Sequence, residues 1–119
     1  MKTKLFFLAA LFLATLTFAQ TPAKVVKSSF TVYGNCAICK KRIETALDHN
    51  GIKQSQWDAK TKVAQVVYNP AKITELQIHQ LIASAGHDTD KVRATDEAYT
   101  ELPYCCLYRQ GSMDELKRK

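Results

Sequence analysis

The sequence lacks any hydrophobic run long enough to span a membrane. The unbroken apolar stretch Leu5–Leu13 is far shorter than the roughly 20 residues that a transmembrane helix needs. That stretch follows two lysines and leads to Thr17-Phe18-Ala19, which is the pattern of a signal peptide. We therefore predict that residues 1–19 are a signal peptide and that the protein is periplasmic or otherwise exported. No cysteine stands at the cleavage point after Ala19, so we expect neither a lipid anchor nor membrane insertion of the mature chain.

The sequence also lacks internal repeats, low-complexity tracts and a strong excess of charge of one sign. Loss of Lys2 and Lys4 with the signal peptide would lower the formal net charge from +6 to +4. The two basic runs, Lys40–Arg42 and Lys117–Lys119, are not interleaved with the aromatic residues on which single-stranded nucleic acids stack. We therefore expect no nucleic-acid partner. The remaining length of about 100 residues suits one domain with a single core.

All four cysteines lie in the predicted mature chain, at positions 36, 39, 105 and 106. An even number in an exported protein first indicates disulfides. A bridge between Cys36 and Cys39 would close a very short loop, however, and would stabilise the fold little. Lys40 stands where a histidine would follow a haem-attachment motif, and the second pair is adjacent rather than spaced as in a zinc knuckle. The CxxC pair is therefore typical of a soft-metal site or a redox centre.

The apolar pattern predicts one strand before this pair and one helix after it, followed by a hairpin. Ser28–Tyr33 alternates in polarity and predicts a strand. Apolar residues at helical spacing predict a first helix over Cys39–His49, which Asn50 and Gly51 would end. The segments Ile52–Asp58 and Val63–Tyr68 flank a polar turn and predict a hairpin.

The second half of the chain predicts another helix and a last strand. Thr74 is a suitable N-cap for that helix and Gly86 a suitable stop, after which residues 87–93 predict a short strand. This order predicts an α+β, ferredoxin-like βαββαβ fold: an antiparallel four-stranded sheet with two helices on one face. We expect the domain to cover residues 20–93. Residues 94–119 would form a cysteine-containing C-terminal tail that begins with a short helix.

These residues resemble the heavy-metal-associated domain of copper chaperones, metal-pumping ATPases and periplasmic mercury-binding proteins. The resemblance covers about residues 24–93. Its motif residues are Phe30, Val32, Gly34, Cys36, Cys39, Ile43, Glu44, Leu47, Gly51 and Ile52. Family members commonly have methionine immediately before the first cysteine, where this chain has Asn35. The resemblance implies a ferredoxin-like fold and a metal ion bound by the CxxC pair.

Cys36 and Cys39 are the predicted metal ligands. The thiolate is the form that binds metal, and we expect the N-terminus of the first helix, with Lys40 and Lys41, to lower the pKa of Cys39. Two thiolates without oxygen or nitrogen ligands select soft ions. The expected ion is therefore Cu(I) or Hg(II), with Zn(II) as a candidate if further ligands join.

Three more residues are candidate accessory ligands. His87 follows the glycine that would end the second helix, in a loop expected to face the cysteine pair. Cys105 and Cys106 could bind the same soft ion, form a vicinal disulfide, accept metal from the first pair, or be buried as small apolar residues. His49 and His79 are expected to be surface residues of the helices without a ligand role.

These features predict a metal-binding protein rather than an enzyme. It would capture a soft ion and pass it to a metal transporter or another metal-accepting protein, or buffer it, and we expect a monomer. The alternative is a thiol-disulfide oxidoreductase, because CxxC at a helix N-terminus is also the thioredoxin arrangement. Against this alternative, the chain is short for the larger thioredoxin sheet and lacks a downstream strand with the proline that faces that dithiol.

Overall fold

The computed structural model describes residues 24–109. The predicted signal peptide, residues 1–19, lies outside the described residues. In chain order the elements are β1 (Val26–Thr31), α1 (Ala37–Ala46), β2 (Ile52–Trp57), β3 (Val63–Tyr68), α2 (Glu75–Ser84), the short α3 (Asp96–Thr100) and a 3-10 turn (Tyr104–Cys106). Within this part of the chain, no helix has both the length and the apolar character needed to cross a membrane.

The three strands form one antiparallel sheet in the order β1-β3-β2. The central strand β3 pairs Ala64 with Phe30 of β1 on one side and with Trp57 of β2 on the other. The predicted hairpin of β2 and β3 is therefore confirmed. Its register shifts between Ile52 and Gln54, which leaves Lys53 without a partner in the ladder.

The four-stranded sheet is not confirmed, because residues 87–93 form no strand. Thr89 makes only an isolated bridge with Val32 at the edge of β1. Its hydroxyl accepts hydrogen bonds from the backbone N–H groups of Lys91, at 3.2 Å, and Val92, at 3.0 Å. Threonine hydroxyls that bind nearby N–H groups in this way favour a turn. The described part of the chain therefore has an α+β fold with a three-stranded sheet and two main helices.

The core lies between one face of the sheet and the helices. In β3 the buried residues Ala64, Val66 and Tyr68 alternate with more exposed ones, as expected when only one face of a sheet is covered. The core cluster consists of Phe30, Val32, Cys39, Ile43, Leu47, Trp57, Ala64, Val66, Tyr68, Ile73, Ile78, Ile82, Tyr99, Leu102 and Cys106. One cysteine of each pair is thus part of the hydrophobic core.

Local signals determine where the helices begin. The Thr74 hydroxyl accepts from the Gln77 N–H at 3.2 Å, and the Gln77 side chain accepts from the Thr74 N–H at 2.9 Å. This capping box confirms Thr74 as the N-cap of α2. Helix α1 begins earlier than predicted, at Ala37, so that Cys36 is its N-cap and Cys39 lies in its first turn.

His79 is not a surface residue, so the prediction for it was wrong. Its side chain is fully buried. The ring lies 4.1 Å from the Phe30 ring, measured between centroids, and Nδ1 is 2.6 Å from the Thr89 hydroxyl. Phe30 and Thr89 come from other parts of the chain and cover the ring, which the periodicity of the helix alone cannot show. His49 is exposed, as predicted.

Residues 94–109, which we call the C-terminal strap, fold back onto the domain. They contain α3, capped by the Thr95 hydroxyl, which accepts from the Ala98 N–H at 3.1 Å. The strap packs closely on the end of α2, since a Cβ atom at Gly86 would lie 2.7 Å from the Ala98 carbonyl oxygen. Gly86 also has a positive φ of 101°, so this position favours glycine for two reasons.

Candidate metal centre

Three cysteine sulfurs converge at one end of the domain. The Sγ atom of Cys39 lies 3.4 Å from that of Cys36 and 2.7 Å from that of Cys106, and the third side of the triangle, between Cys36 and Cys106, measures 3.9 Å. All four cysteines of the chain are free thiols. Among the described residues, Cys36, Cys39 and Cys106 form a group whose sulfurs all lie within 4.8 Å of one another, close enough to hold one metal ion.

The loop between β1 and α1 places the first two of these thiols. Gly34 is a buried residue of this loop. A Cβ atom at this position would lie 3.1 Å from both the Cys39 Cβ and the Trp57 ring. The Trp57 indole N–H donates to the Val32 carbonyl at 3.0 Å and so holds the ring in this position. The Asn35 N–H donates to the Cys39 sulfur at 3.3 Å. The loop therefore packs against the Trp57 ring, and the absence of a side chain at Gly34 allows this close contact.

The N-terminus of α1 lowers the pKa of Cys36. The backbone N–H of Cys39 lowers the pKa of Cys36 to about 7, with further help from its contacts with the Cys39 and Cys105 side chains. The effect falls on Cys36 because this residue is the N-cap, close to the backbone N–H groups of Ile38 and Cys39 in the first turn, which lack helical partners. About half of the Cys36 thiols are therefore ionised near neutral pH.

The strap supplies the third thiol and buries it. Cys106 is fully buried and belongs to the core cluster. Burial, together with the neighbouring Cys39 thiol, raises the pKa of Cys106. Tyr99, Leu102 and Cys106 are all buried and recur at spacings of three and four. This helix-like spacing was the signal in the sequence that could have distinguished Cys106 from its neighbour.

Cys105 and His87 do not join the three sulfurs. Cys105 is exposed, and its sulfur lies 4.0 Å from that of Cys106. His87 is buried, and its Nδ1–H donates to the Tyr33 carbonyl at 2.7 Å while its ring stacks on Tyr108. Burial lowers the pKa of His87. Of the three candidate accessory ligands, the structure brings only Cys106 to the CxxC pair.

Exposed apolar side chains flank these cysteines in the sequence. Ile38, between Cys36 and Cys39, is 50% exposed, and Tyr104, next to Cys105, is 82% exposed. Exposed large apolar residues close to a site indicate a contact surface. Lys40 is less available for contact with a partner. Its Nζ atom binds the Glu44 carboxylate and donates to the Trp57 carbonyl at 2.9 Å.

Comparison with known proteins gives one family and a set of similar structures. Residues 34–88 match the model of the heavy-metal-associated domain. A copper-binding domain of a P-type ATPase is 30% identical, with a TM-score of 0.52, and the match covers 54% of this chain and 89% of that one. No significant match was found among curated proteins.

Two further solved structures share the fold. The CopZ metallochaperone is 24% identical over 54% of this chain and 98% of its own, with a TM-score of 0.52. The oxidized MerP protein from Ralstonia metallidurans is 20% identical over 56% of this chain and 96% of its own, with a TM-score of 0.54. All three alignments leave a large part of this chain, about two fifths or more, without a counterpart.

Proposed function

Because residues 34–88 make this chain a member of the heavy-metal-associated domain family, we propose that it is an exported carrier of a soft metal ion. It binds the ion through Cys36 and Cys39 and passes it to a metal transporter or another metal-accepting protein. The observation that carries this proposal is the position of the two thiols, 3.4 Å apart at the N-terminus of α1. The ion is the cargo of the protein and takes part in no catalysed reaction.

The chemistry of the pair favours Cu(I) or Hg(II). Both donor atoms are sulfur, and sulfur ligands without oxygen or nitrogen select soft ions. Cys36, with a pKa of about 7, provides a thiolate at neutral pH, and Cys39 gives its proton to the solvent when it binds. A copper-binding domain 30% identical to this chain is among the similar structures, which is consistent with Cu(I).

Transfer to a partner proceeds by exchange of sulfur ligands. A thiolate of the partner forms a bond to the ion, one bond to a cysteine of this chain breaks, and the released thiolate takes up a proton from the solvent. Ile38 and Tyr104, which flank the cysteines, offer apolar surface for the encounter. A copper-binding domain of a P-type ATPase is among the similar structures, which supports a transporter as the partner.

Metal titration tests the proposal. The reduced chain beginning at Gln20 is titrated with Cu(I) against a coloured Cu(I) chelator and, separately, with Hg(II). We expect one ion per chain, and we expect the double variant Cys36→Ser, Cys39→Ser to lose this binding. The single variant Cys105→Ser also removes one thiol, from an exposed position, and is the matched control that keeps binding. Wild-type affinity in the double variant would refute the proposal.

The same proteins test the oxidoreductase alternative. The lowered pKa of Cys36 is a property that such enzymes share. An oxidoreductase would reduce the disulfides of insulin, and this activity would depend on Cys36 without any metal affinity. A metal carrier is expected to be inactive in this assay. Export is tested separately by cell fractionation and by the mass of the secreted chain, which should begin at Gln20.

A further inference from the structure

We infer that Cys106 is a third ligand, so that the metal centre is a trigonal site of three thiolates built from the CxxC loop and the C-terminal strap. This inference rests on the proposed function and extends it. Residues 34–88, which match the family, contain Cys36 and Cys39 but not Cys106. The third sulfur is therefore an addition that the strap of this chain makes to the domain.

The sulfur triangle is close to the size that such a site requires. Three thiolates around an ion at bond lengths of about 2.3 Å stand roughly 4 Å apart. The Cys36 and Cys106 sulfurs are 3.9 Å apart, and the Cys36 and Cys39 sulfurs 3.4 Å. The Cys39 and Cys106 sulfurs, at 2.7 Å, would have to separate by roughly 1 Å for bonds of this length.

The number and kind of donors also favour one bound ion over a disulfide. A disulfide joins two sulfurs, so it would leave one of the three as a thiol within contact distance. A single soft ion can bind all three. Within residues 24–109 the group contains no carboxylate or imidazole, which hard or borderline ions prefer. The site therefore suits a soft ion that is stable with three sulfurs, whereas Zn(II) would need a fourth ligand.

The strap holds Cys106 in place through polar contacts on its C-terminal side. The Tyr108 hydroxyl donates to the Gly86 carbonyl at 2.8 Å and accepts from the Asp88 N–H at 2.7 Å. The Arg109 guanidinium binds both oxygens of the Asp88 carboxylate and donates to the Ala94 carbonyl at 2.8 Å. The side chains of Arg109 and Asp88 are 4% and 14% exposed, so this ion pair is largely buried.

A cysteine that served only as a small apolar core residue would not need these hydrogen bonds and this ion pair to hold it in place. A buried ion pair is costly to desolvate and adds little net stability compared with apolar packing. The ion pair between Asp88 and Arg109 does hold the residues that follow Cys106 in one position. The strap therefore fixes the third sulfur above the CxxC loop. Cys105, the preceding residue in the same turn, is exposed and stays outside the site.

X-ray absorption spectroscopy of the Cu(I)-loaded protein tests the inference directly. The protein is reduced with a phosphine that is removed before copper is added, so that neither an external thiol nor the phosphine, itself a soft ligand, can bind the ion. We expect three sulfurs around copper in the wild type, three in Cys105→Ser and two in Cys106→Ser. Cys106→Ser should also weaken Cu(I) binding by more than the roughly 10- to 100-fold that loss of an outer-shell partner costs.

The outcomes separate this inference from the proposed function. If the wild type binds no Cu(I), the proposed function fails. If it binds Cu(I) with two sulfurs, or if Cys106→Ser keeps three, the function stands and the third ligand is refuted. Should Cys106→Ser not fold, Cys105→Ser still decides, because only Cys36, Cys39 and Cys106 remain in that variant.

Discussion

The Sγ atom of Cys39 lies 2.7 Å from that of Cys106, although 67 residues separate them in the sequence. One of these residues belongs to the first turn of α1 and the other to the 3-10 turn of the strap. Their contact joins the segment that matches the family to a segment beyond that match. The properties of the metal centre therefore depend on how the strap is anchored, as well as on the CxxC loop.

We expect Cys36 to react first with iodoacetamide at neutral pH. Only the thiolate reacts, and the Cys39 N–H lowers the pKa of Cys36 to about 7. Its rate should therefore increase through about pH 7 and then level off. Mass spectrometry of digested, reduced, metal-free protein gives the rate for each cysteine.

Cys105 is the control for this experiment because it is more exposed than Cys36. Its pKa is raised, mainly by its contact with the Cys36 side chain, so its rate should still increase at pH values where that of Cys36 is constant. If Cys105 reacted faster than Cys36 at pH 7, exposure rather than thiolate content would determine the order.

Asp88→Asn should lower the free energy of unfolding by about 3 kcal/mol, because it removes the carboxylate that binds the buried Arg109 guanidinium through both of its oxygens. The Asp88 side chain is 14% exposed and that of Arg109 4%. Urea unfolding measures the change. Asp96→Asn is a matched control, since Asp96 also contacts Arg109, at 3.3 Å, but is 74% exposed. It should cost less than about 1 kcal/mol. Equal losses in the two variants would contradict the importance of the buried pair.

Stability should decrease as the pH falls from 7 to 5. Burial lowers the pKa of His79 below its usual value of 6.5. The unfolded chain therefore takes up a proton that the folded chain resists, so the stability is complete above about pH 6.5 and is lost as the pH falls toward the folded-state pKa. Chemical denaturation at a series of pH values measures this slope.

His79→Gln should make that slope smaller, because glutamine does not titrate and its amide can still bind the Thr89 hydroxyl. His49→Gln is the control: His49 is exposed, so its replacement should leave the slope unchanged. A slope that does not respond to His79→Gln would assign the pH dependence to other groups.

Gly34→Ala should weaken both the fold and Cu(I) binding. The added Cβ atom would lie 3.1 Å from the Cys39 Cβ and from the Trp57 ring, and overpacking of this kind costs about 1–3 kcal/mol. Thermal unfolding and Cu(I) competition measure the two effects. Asn35→Ala is the neighbouring control, because Asn35 is exposed and contacts the Cys39 sulfur through its backbone N–H, which alanine keeps. Unchanged affinity in Gly34→Ala would show that the loop tolerates displacement.

Local patterns predicted those parts of the fold that local interactions determine. The strand Val63–Tyr68 has the predicted bounds, and Thr74 caps α2 as its position before an apolar-periodic segment indicated. The start of α1 differs because Cys36 adopts the extended N-cap conformation that polar residues usually provide. Cysteine is not among the residues that favour the N-cap, so the sequence predicts a start for this helix that is too late.

Long-range contacts determine the features that the local sequence patterns do not predict. The burial of His79 depends on Phe30 and Thr89, which lie in other segments. The turn at Thr89 replaces the predicted last strand because one hydroxyl binds two N–H groups. The sequence predicts both Cys105 and Cys106 as candidate accessory ligands. Only the return of the strap, anchored at Asp88, shows which of the two lies beside Cys39.

The register shift at Lys53 affects how copies of this protein meet. An edge strand with a regular row of free N–H and C=O groups is a template for a strand of another molecule. In β2 the extra residue interrupts that row, and it brings a positive charge to the edge. Continuous sheets across two copies, the first step toward amyloid-like aggregation, are therefore disfavoured at β2.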